Sequence, residues 1–187
     1  MANDQPNTQT DPSLGARGNA RRRLTKAAVG AAGVLWTLES KAGMCSPGRI
    51  CKAPSAHLSA GASTFAGKPV VCKGLSPGYW SKPNRPWPVR KDLGFGEVFP
   101  CFGNDAKTYG VSSMRAVMLD KSFDQYNLGR HLVATYLNVK AGYISFLTEE
   151  ALVKMWREIR ATKVYSPKKG VYWSAEELKC YLERTHD

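Results

Sequence analysis

Five cysteines, Cys45, Cys51, Cys72, Cys101 and Cys180, and three histidines, His57, His131 and His186, are the side chains of this sequence best suited to bond, metal or nucleophile chemistry. Their spacing argues against metal: Cys45-x5-Cys51 is too wide for a zinc knuckle and no His-x3–5-His follows. The histidines are scattered along the chain, and neither a Cys–His nor a Ser-His-Asp arrangement is evident. Gly94-Phe95-Gly96 lacks the strand-to-helix setting of a phosphate loop. No catalytic residue, metal ligand or cofactor is therefore expected, and the chain is read as a non-enzyme. What the cysteines can do is form disulfides. Five is an odd number, so at most two bridges form within the chain and one thiol is left free or joined to another chain.

A second group could bind rather than react. Between Ser76 and Pro88 the chain carries Tyr79, Trp80 and Trp87 among four prolines, with Lys82, Arg85, Arg90 and Lys91 close by. Exposed rings beside cations can stack on sugars or bases. The competing expectation, and the favoured one, is that the tryptophans fold back over the core, because a small domain needs large apolar contributions. The prolines bar a helix interior, so the rings are expected on a stiff, extended loop.

The elements that would position these groups divide the chain in two. Residues 43–103 are rich in Gly, Pro and Ser and read as turns joining short strands, with extended candidates at residues 56–60 and 69–73. Four of the cysteines lie in this half, which is expected to be stapled by disulfides. The second half has helical periodicity. Asp124 can cap a helix with Leu128, Leu132, Tyr136 and Val139 on one face and Gly142 after its end. Thr148 caps another carrying Leu152, Met155, Trp156 and Ile159, and Ser174-Ala175-Glu176-Glu177 is a capping box opening a third. Residues 112–119 add a short helix. Cys180 lies off the apolar stripe of the third helix and is suited to bridging a loop or another subunit. The glutamate pairs 149–150 and 176–177 sit in first turns, where they complement the helix dipole. His131 reads as an ordinary boundary residue. The expected fold is α+β, with a loop-rich, disulfide-stapled N-terminal half and three to four packed helices.

The N-terminus has the pattern of an export signal. Arg21, Arg22, Leu24 and Lys26 resemble a twin-arginine motif, residues 27–38 are mildly apolar, and the small residues Ser40 and Ala42 suit cleavage. The expected organisation is residues 1–42 as a disordered leader plus signal, 43–75 as an extended segment and 76–187 as one globular domain. The 187-residue chain has a formal charge of +12. Residues 43–103 hold eight Lys and Arg against two acids, while the rest of the globular part is nearly balanced. No apolar run is long enough for a conventional membrane-spanning helix.

Several stretches resemble an uncharacterised family of exported bacterial proteins. They are Ser76-Pro77-Gly78-Tyr79-Trp80-Ser81, Trp87-Pro88, residues 128–138 (LGRHLVATYLN), Met155-Trp156, Tyr165-Ser166-Pro167, Gly170-Val171-Tyr172-Trp173-Ser174 and Tyr181-Leu182-Glu183-Arg184-Thr185. The resemblance spans about residues 76–185. Ser81 stands where that family usually has Lys, and Lys82-Pro83-Asn84-Arg85 replaces its Asn-His-Pro. The resemblance implies export and a shared helical core; it carries no activity and no catalytic residues.

These observations favour an exported, extracellular structural subunit that associates with copies of itself, as a filament or coat, through residues 43–75. A monomeric secreted module for anionic polysaccharide, using the 79–91 aromatic and basic residues, is the second expectation. A nucleic-acid-binding capsid-type subunit with an uncleaved basic arm is the third.

Overall fold

The computed structural model describes residues 45, 47–58, 70–119 and 122–186, all within one compact unit, Met44–Asp187. The signal positions Arg21, Arg22, Leu24, Lys26, Ser40 and Ala42 lie outside the described residues.

The centre is a helix that is buried almost all round. Helix α6, Leu128–Lys140, buries Leu128, Gly129 and every residue from His131 to Asn138. Its start is held by Asp124, whose carboxylate accepts the backbone N–H of Gly129 and of Arg130, each at 2.8 Å, and the Tyr109 hydroxyl at 2.9 Å. The chain reaches α6 through a 3-10 turn, Gln125–Asn127, in which Tyr126 and Asn127 both adopt positive φ. Such residues are strained by about 1 kcal/mol or more each, and the charge-assisted bonds to Asp124 offset that strain.

Around α6 lie the other elements. Four helical turns come first: α1 (Pro54–His57), α2 (Pro77–Trp80), α3 (Phe95–Val98) and α4 (Asn104–Lys107). Helix α5 (Met114–Leu119) buries Met114, Val117 and Met118. Helix α7 (Glu149–Thr162) starts where Thr148 accepts the Ala151 N–H, and turns Leu152, Met155, Trp156 and Ile159 inward. Helix α8 (Ala175–Glu183) has a full capping box: Ser174 Oγ accepts the Glu177 N–H and the Glu177 carboxylate accepts the Ser174 N–H. Helices α2, α5, α7 and α8 all pack on α6. Between α7 and α8 a two-stranded antiparallel sheet, β1 (Tyr165–Lys168) and β2 (Val171–Trp173), pairs Tyr165 with Trp173 and Lys168 with Val171. Its turn uses Gly170 at φ +82°, a conformation only glycine takes without strain. One aromatic cluster, Phe95, Phe99, Tyr109 and Trp156, joins α3 to α7 with ring centroids 4.8–6.4 Å apart.

The α+β class and the C-terminal helices agree with the sequence reading; the N-terminal half departs from it. Among the described residues it holds no named strand. Pro54 and Pro77 each occupy the first positions of a helical turn, where a missing N–H does no harm and a fixed φ helps. Residues 54–57 are thus helical instead of extended, and Tyr79 and Trp80 ride on a turn capped by Ser76 instead of an extended loop. Near residues 69–73 the chain makes isolated bridges, Cys72 with Ile144 and Gly74 with His186. The sheet belongs to the C-terminal half, where the sequence reading had only helices.

Two disulfides fasten the N-terminal part. Cys51–Cys72 closes a local loop, whereas Cys45–Cys180 runs from the start of the compact unit to α8, so Cys180 does bridge a loop. The described parts of residues 43–75 are packed as well: Ile50 is buried, its N–H donates to Arg184 O, and Lys52 O accepts the Tyr181 hydroxyl.

The two bridges close loops of 135 and 21 residues. Loop entropy alone makes the longer one worth roughly 1.6 kcal/mol more. Urea unfolding of Cys45→Ala/Cys180→Ala should therefore show the larger loss of stability against Cys51→Ala/Cys72→Ala, and equal losses would refute the entropic assignment.

Candidate functional site

The 79–91 segment does not present three free rings. Trp80 is 2 % exposed, and its indole N–H donates to Asn138 Oδ1 at 3.1 Å. Tyr79 stands edge-on to it, with centroids 5.3 Å apart. Trp87 is half-buried and donates its indole N–H to Trp80 O at 3.0 Å. The Arg85 guanidinium lies 4.4 Å from the centre of the Tyr79 ring, a cation–π contact that fixes both side chains. Lys91 folds back to donate to Pro83 O, while Arg90 lies 4.0 Å from Asp92 and 3.9 Å from Glu97 in exposed pairs of little energetic weight. Lys82 is exposed.

The sequence reading missed Tyr143. Its ring stacks on Trp80 at 6.2 Å and 28°, and it is 37 % exposed. Its backbone is held on both sides: Tyr143 N–H donates to Asn138 O and Tyr143 O accepts the Lys73 N–H, each at 2.8 Å. A tyrosine three residues beyond a helix end carries no sequence signal for such a place. The result is an aromatic shelf. Trp80 forms its buried base, Tyr79 and Tyr143 flank it, and Arg85 covers part of Tyr79. The stretch from residue 43 to residue 91 contains no Asp or Glu, so the chain segment that carries Tyr79, Trp80 and Arg85 is uniformly basic.

A second cluster was also unforeseen. His131 and His186, distant in sequence, lie parallel with centroids 5.7 Å apart and an interplanar angle of 7°. His131 is buried, not a boundary residue. Thr135 Oγ1 donates to His131 O at 2.8 Å and lies 2.9 Å from His186 Nε2. Burial holds His131 down to about 4 and His186 down to about 3, so both rings are neutral near pH 7.

A third polar group surrounds the remaining thiol. Arg160 forms a two-bond ion pair with Asp105 and lies over the rings of Trp156 and Tyr109. Cys101 sits beside this pair, half-buried, its thiol donating to Phe99 O at 3.1 Å. Burial, then the Asp105 charge, push it up to about 11. A thiol so placed is a poor nucleophile and a poor partner for exchange. The charged side chains along α7, Glu149, Glu150, Lys154 and Arg157, line a shallow, open depression with Val153 that converges on no single point. Among the described residues no three His, Cys, Asp or Glu side chains are grouped to hold a metal ion.

No family model, no curated protein and no solved structure matches this chain. The site therefore has to be read from its own geometry.

If burial protects Cys101, iodoacetamide at pH 8 should alkylate it about a hundred-fold more slowly in the folded protein than in urea. Mass spectrometry of the folded, oxidised protein would measure this. Equal rates would show the thiol to be accessible and ionised.

Proposed function

We propose that the chain is an exported, disulfide-locked binding module that takes anionic polysaccharide on the Tyr79–Arg85–Tyr143 face. The observation that carries this reading is the exposed Tyr143 ring stacked on a Trp80 that is itself hydrogen-bonded into the core. A ring held in this way loses little freedom when a sugar stacks on it, and binding favours such preorganisation. Arg85 and Lys82 supply the positive charge that a carboxylate or sulfate needs. Two disulfides fit an oxidising compartment, and among the described residues no helix is long and apolar enough to cross a membrane.

Self-association into a filament or coat is the second reading. Strongly exposed Phe102, Val111 and Tyr172 favour it, at 75 %, 78 % and 64 %. The odd thiol and the N-terminal segment lend it little support. The odd thiol is half-buried and hydrogen-bonded to its own chain, and the described parts of residues 43–75 are tied internally. The basic-arm reading rests on residues outside the described part of the chain.

Binding to a panel of sulfated and uronate polysaccharides should fall steeply with salt, because screening weakens exposed charge contacts. Tyr143→Ala and Arg85→Ala should each weaken it about ten-fold, as expected for loss of one stacking or cation contact, with thermal unfolding showing that both variants stay folded. Absence of binding to every polysaccharide, or wild-type affinity in both variants, would sink the reading; ordered polymers of the wild-type protein would instead favour self-association.

A further inference from the structure

The stacked imidazoles sit where the end of the described chain locks the N-terminal segment in place. Residues 184–186 lie between two stretches of that segment. On one side Ile50 N–H donates to Arg184 O at 2.8 Å and the Arg184 side chain donates to Gly48 O at 2.6 Å. On the other, Gly74 pairs with His186, and a Cβ on Gly74 would stand 2.3 Å from Thr185 O. Only glycine fits such an approach. Next to Gly74, Leu75 is clamped by Asn138: its N–H donates to Oδ1 at 2.8 Å and its O accepts from Nδ2 at 2.9 Å. The same Oδ1 receives the Trp80 indole N–H. A continuous set of contacts thus runs from His186 through Gly74 and Leu75 to the base of the aromatic shelf.

The protonation state of this junction follows from its hydrogen bonds. Thr135 has one hydroxyl proton and donates it to His131 O, so its oxygen accepts from His186 Nε2–H. His186 is then protonated at Nε2 and bare at Nδ1. That Nδ1 is buried with no partner, as is Nδ1 of His131. A second proton on His186 would place an N–H, and a positive charge, where no acceptor waits and a second imidazole lies parallel. The charged groups facing His131 are Glu183 and Lys179 of α8 and Arg130 of its own helix, and burial outweighs the favourable Glu183. His186 faces His131, and the segment across it carries Lys73, which is exposed.

We propose that His131, His186 and Thr135 form an acid-sensitive latch: while both imidazoles are neutral it holds residues 184–186 against Gly74, and their protonation releases residues 72–75 and loosens the Trp80–Tyr143 shelf. The sign follows from linkage. Each histidine is depressed below 6.5 when closed and ordinary when open, so the open form binds more protons below pH 6.5. The open-to-closed ratio rises as pH falls, by up to about ten-fold per pH unit for each histidine, until the closed-state values are passed. The disulfides Cys51–Cys72 and Cys45–Cys180 keep the released segments tethered, which makes the opening local and reversible. The latch stands on the burial and stacking of the two imidazoles and the sign on their lowered protonation; its effect on ligand rests on the polysaccharide reading.

The test is amide-exchange protection of Lys73 and Leu75 in the full, oxidised chain between pH 7 and pH 4, with the buried amides of α7 as reference. Protection at the two sites should fall by orders of magnitude while α7 stays protected. In His186→Gln, whose amide can still donate to Thr135 but does not titrate, the fall per pH unit should halve. Protection that stays constant to pH 4, or an unchanged slope in His186→Gln, would overturn the latch. Should that variant not fold, NMR titration of the wild-type imidazoles decides: both rings neutral through pH 5 supports the latch, and titration near 6.5 overturns it. A sulfated polysaccharide, whose charge is constant over this range, then separates the two ideas. No binding at pH 7 removes the binding reading and leaves the exchange test intact; binding that persists at pH 4 while protection is lost removes the coupling to the shelf.

Discussion

The Asn138 carboxamide is the interaction on which the arrangement of this protein depends. It is fully buried near the end of α6. Oδ1 accepts from Leu75 N–H and the Trp80 indole, Nδ2 donates to Leu75 O, and its backbone O accepts the Tyr143 N–H. An unpaired amide in such a place would lose several kcal/mol, so the two segments that satisfy the carboxamide, at Leu75 and Trp80, are held to it, while Tyr143 is held to the backbone of the same residue. Apolar contact alone gives little register. A helix buried on every side can accept a neighbouring segment at several heights, and the amide selects one of them by its donors and acceptors.

The same demand explains where the rings have gone. Tryptophan brings a large apolar surface and one N–H that needs a partner when buried. Trp80 finds Asn138, Trp87 finds Trp80 O and Trp156 finds Pro100 O, whereas the buried Trp173 is held by ring packing alone, its indole N–H without a partner. The Trp80 bond joins the α2 turn to α6, and the Trp87 and Trp156 bonds each tie a loop to a helical turn or helix, so these three tryptophans fix segments in place as well as filling space. Most of the exposed aromatic surface belongs instead to tyrosines, Tyr126, Tyr143 and Tyr172, whose hydroxyl tolerates water. Tyr143 fits that division, since its one face is packed on Trp80 and its exposure is that of a surface residue.

Local signals in the sequence were legible because their physics is local. Thr148 and Ser174 satisfy N–H groups three residues away, and Asp124 caps α6 from just upstream, so their roles can be read from spacing. The apolar stripes of α7 and α8 follow from a 3.6-residue period. Proline misled where its position mattered more than its presence: at the first position of α1 and α2 it starts a turn that its count in the segment seemed to forbid. The hairpin escaped because its strands are short, one holds Pro167, and no clear alternation survives. The 79–85 part of the shelf was named from sequence, but its long-range partners escaped for a different reason. Leu75 meets Asn138 across 63 residues, and Cys45 meets Cys180 across 135; such pairs are set by the packed fold, and neither partner advertises the other in the sequence.

The disulfides and the central amide solve different parts of one problem. The N-terminal part of the compact unit has few large apolar residues of its own, so ordering it gains little burial against a backbone cost of about 1–2 kcal/mol per residue. Covalent ties lower that cost by restricting the unfolded chain, but they cannot choose a register within the residues they join. Asn138, and the close approach of Gly74 to Thr185, make that choice. Because the selecting contacts are few and polar, this region can be opened by a change in charge that would leave an apolar core intact. A surface built on it combines rigidity at neutral pH with a route to release, and α7, packed through Leu152, Met155, Trp156 and Ile159, takes no part in either.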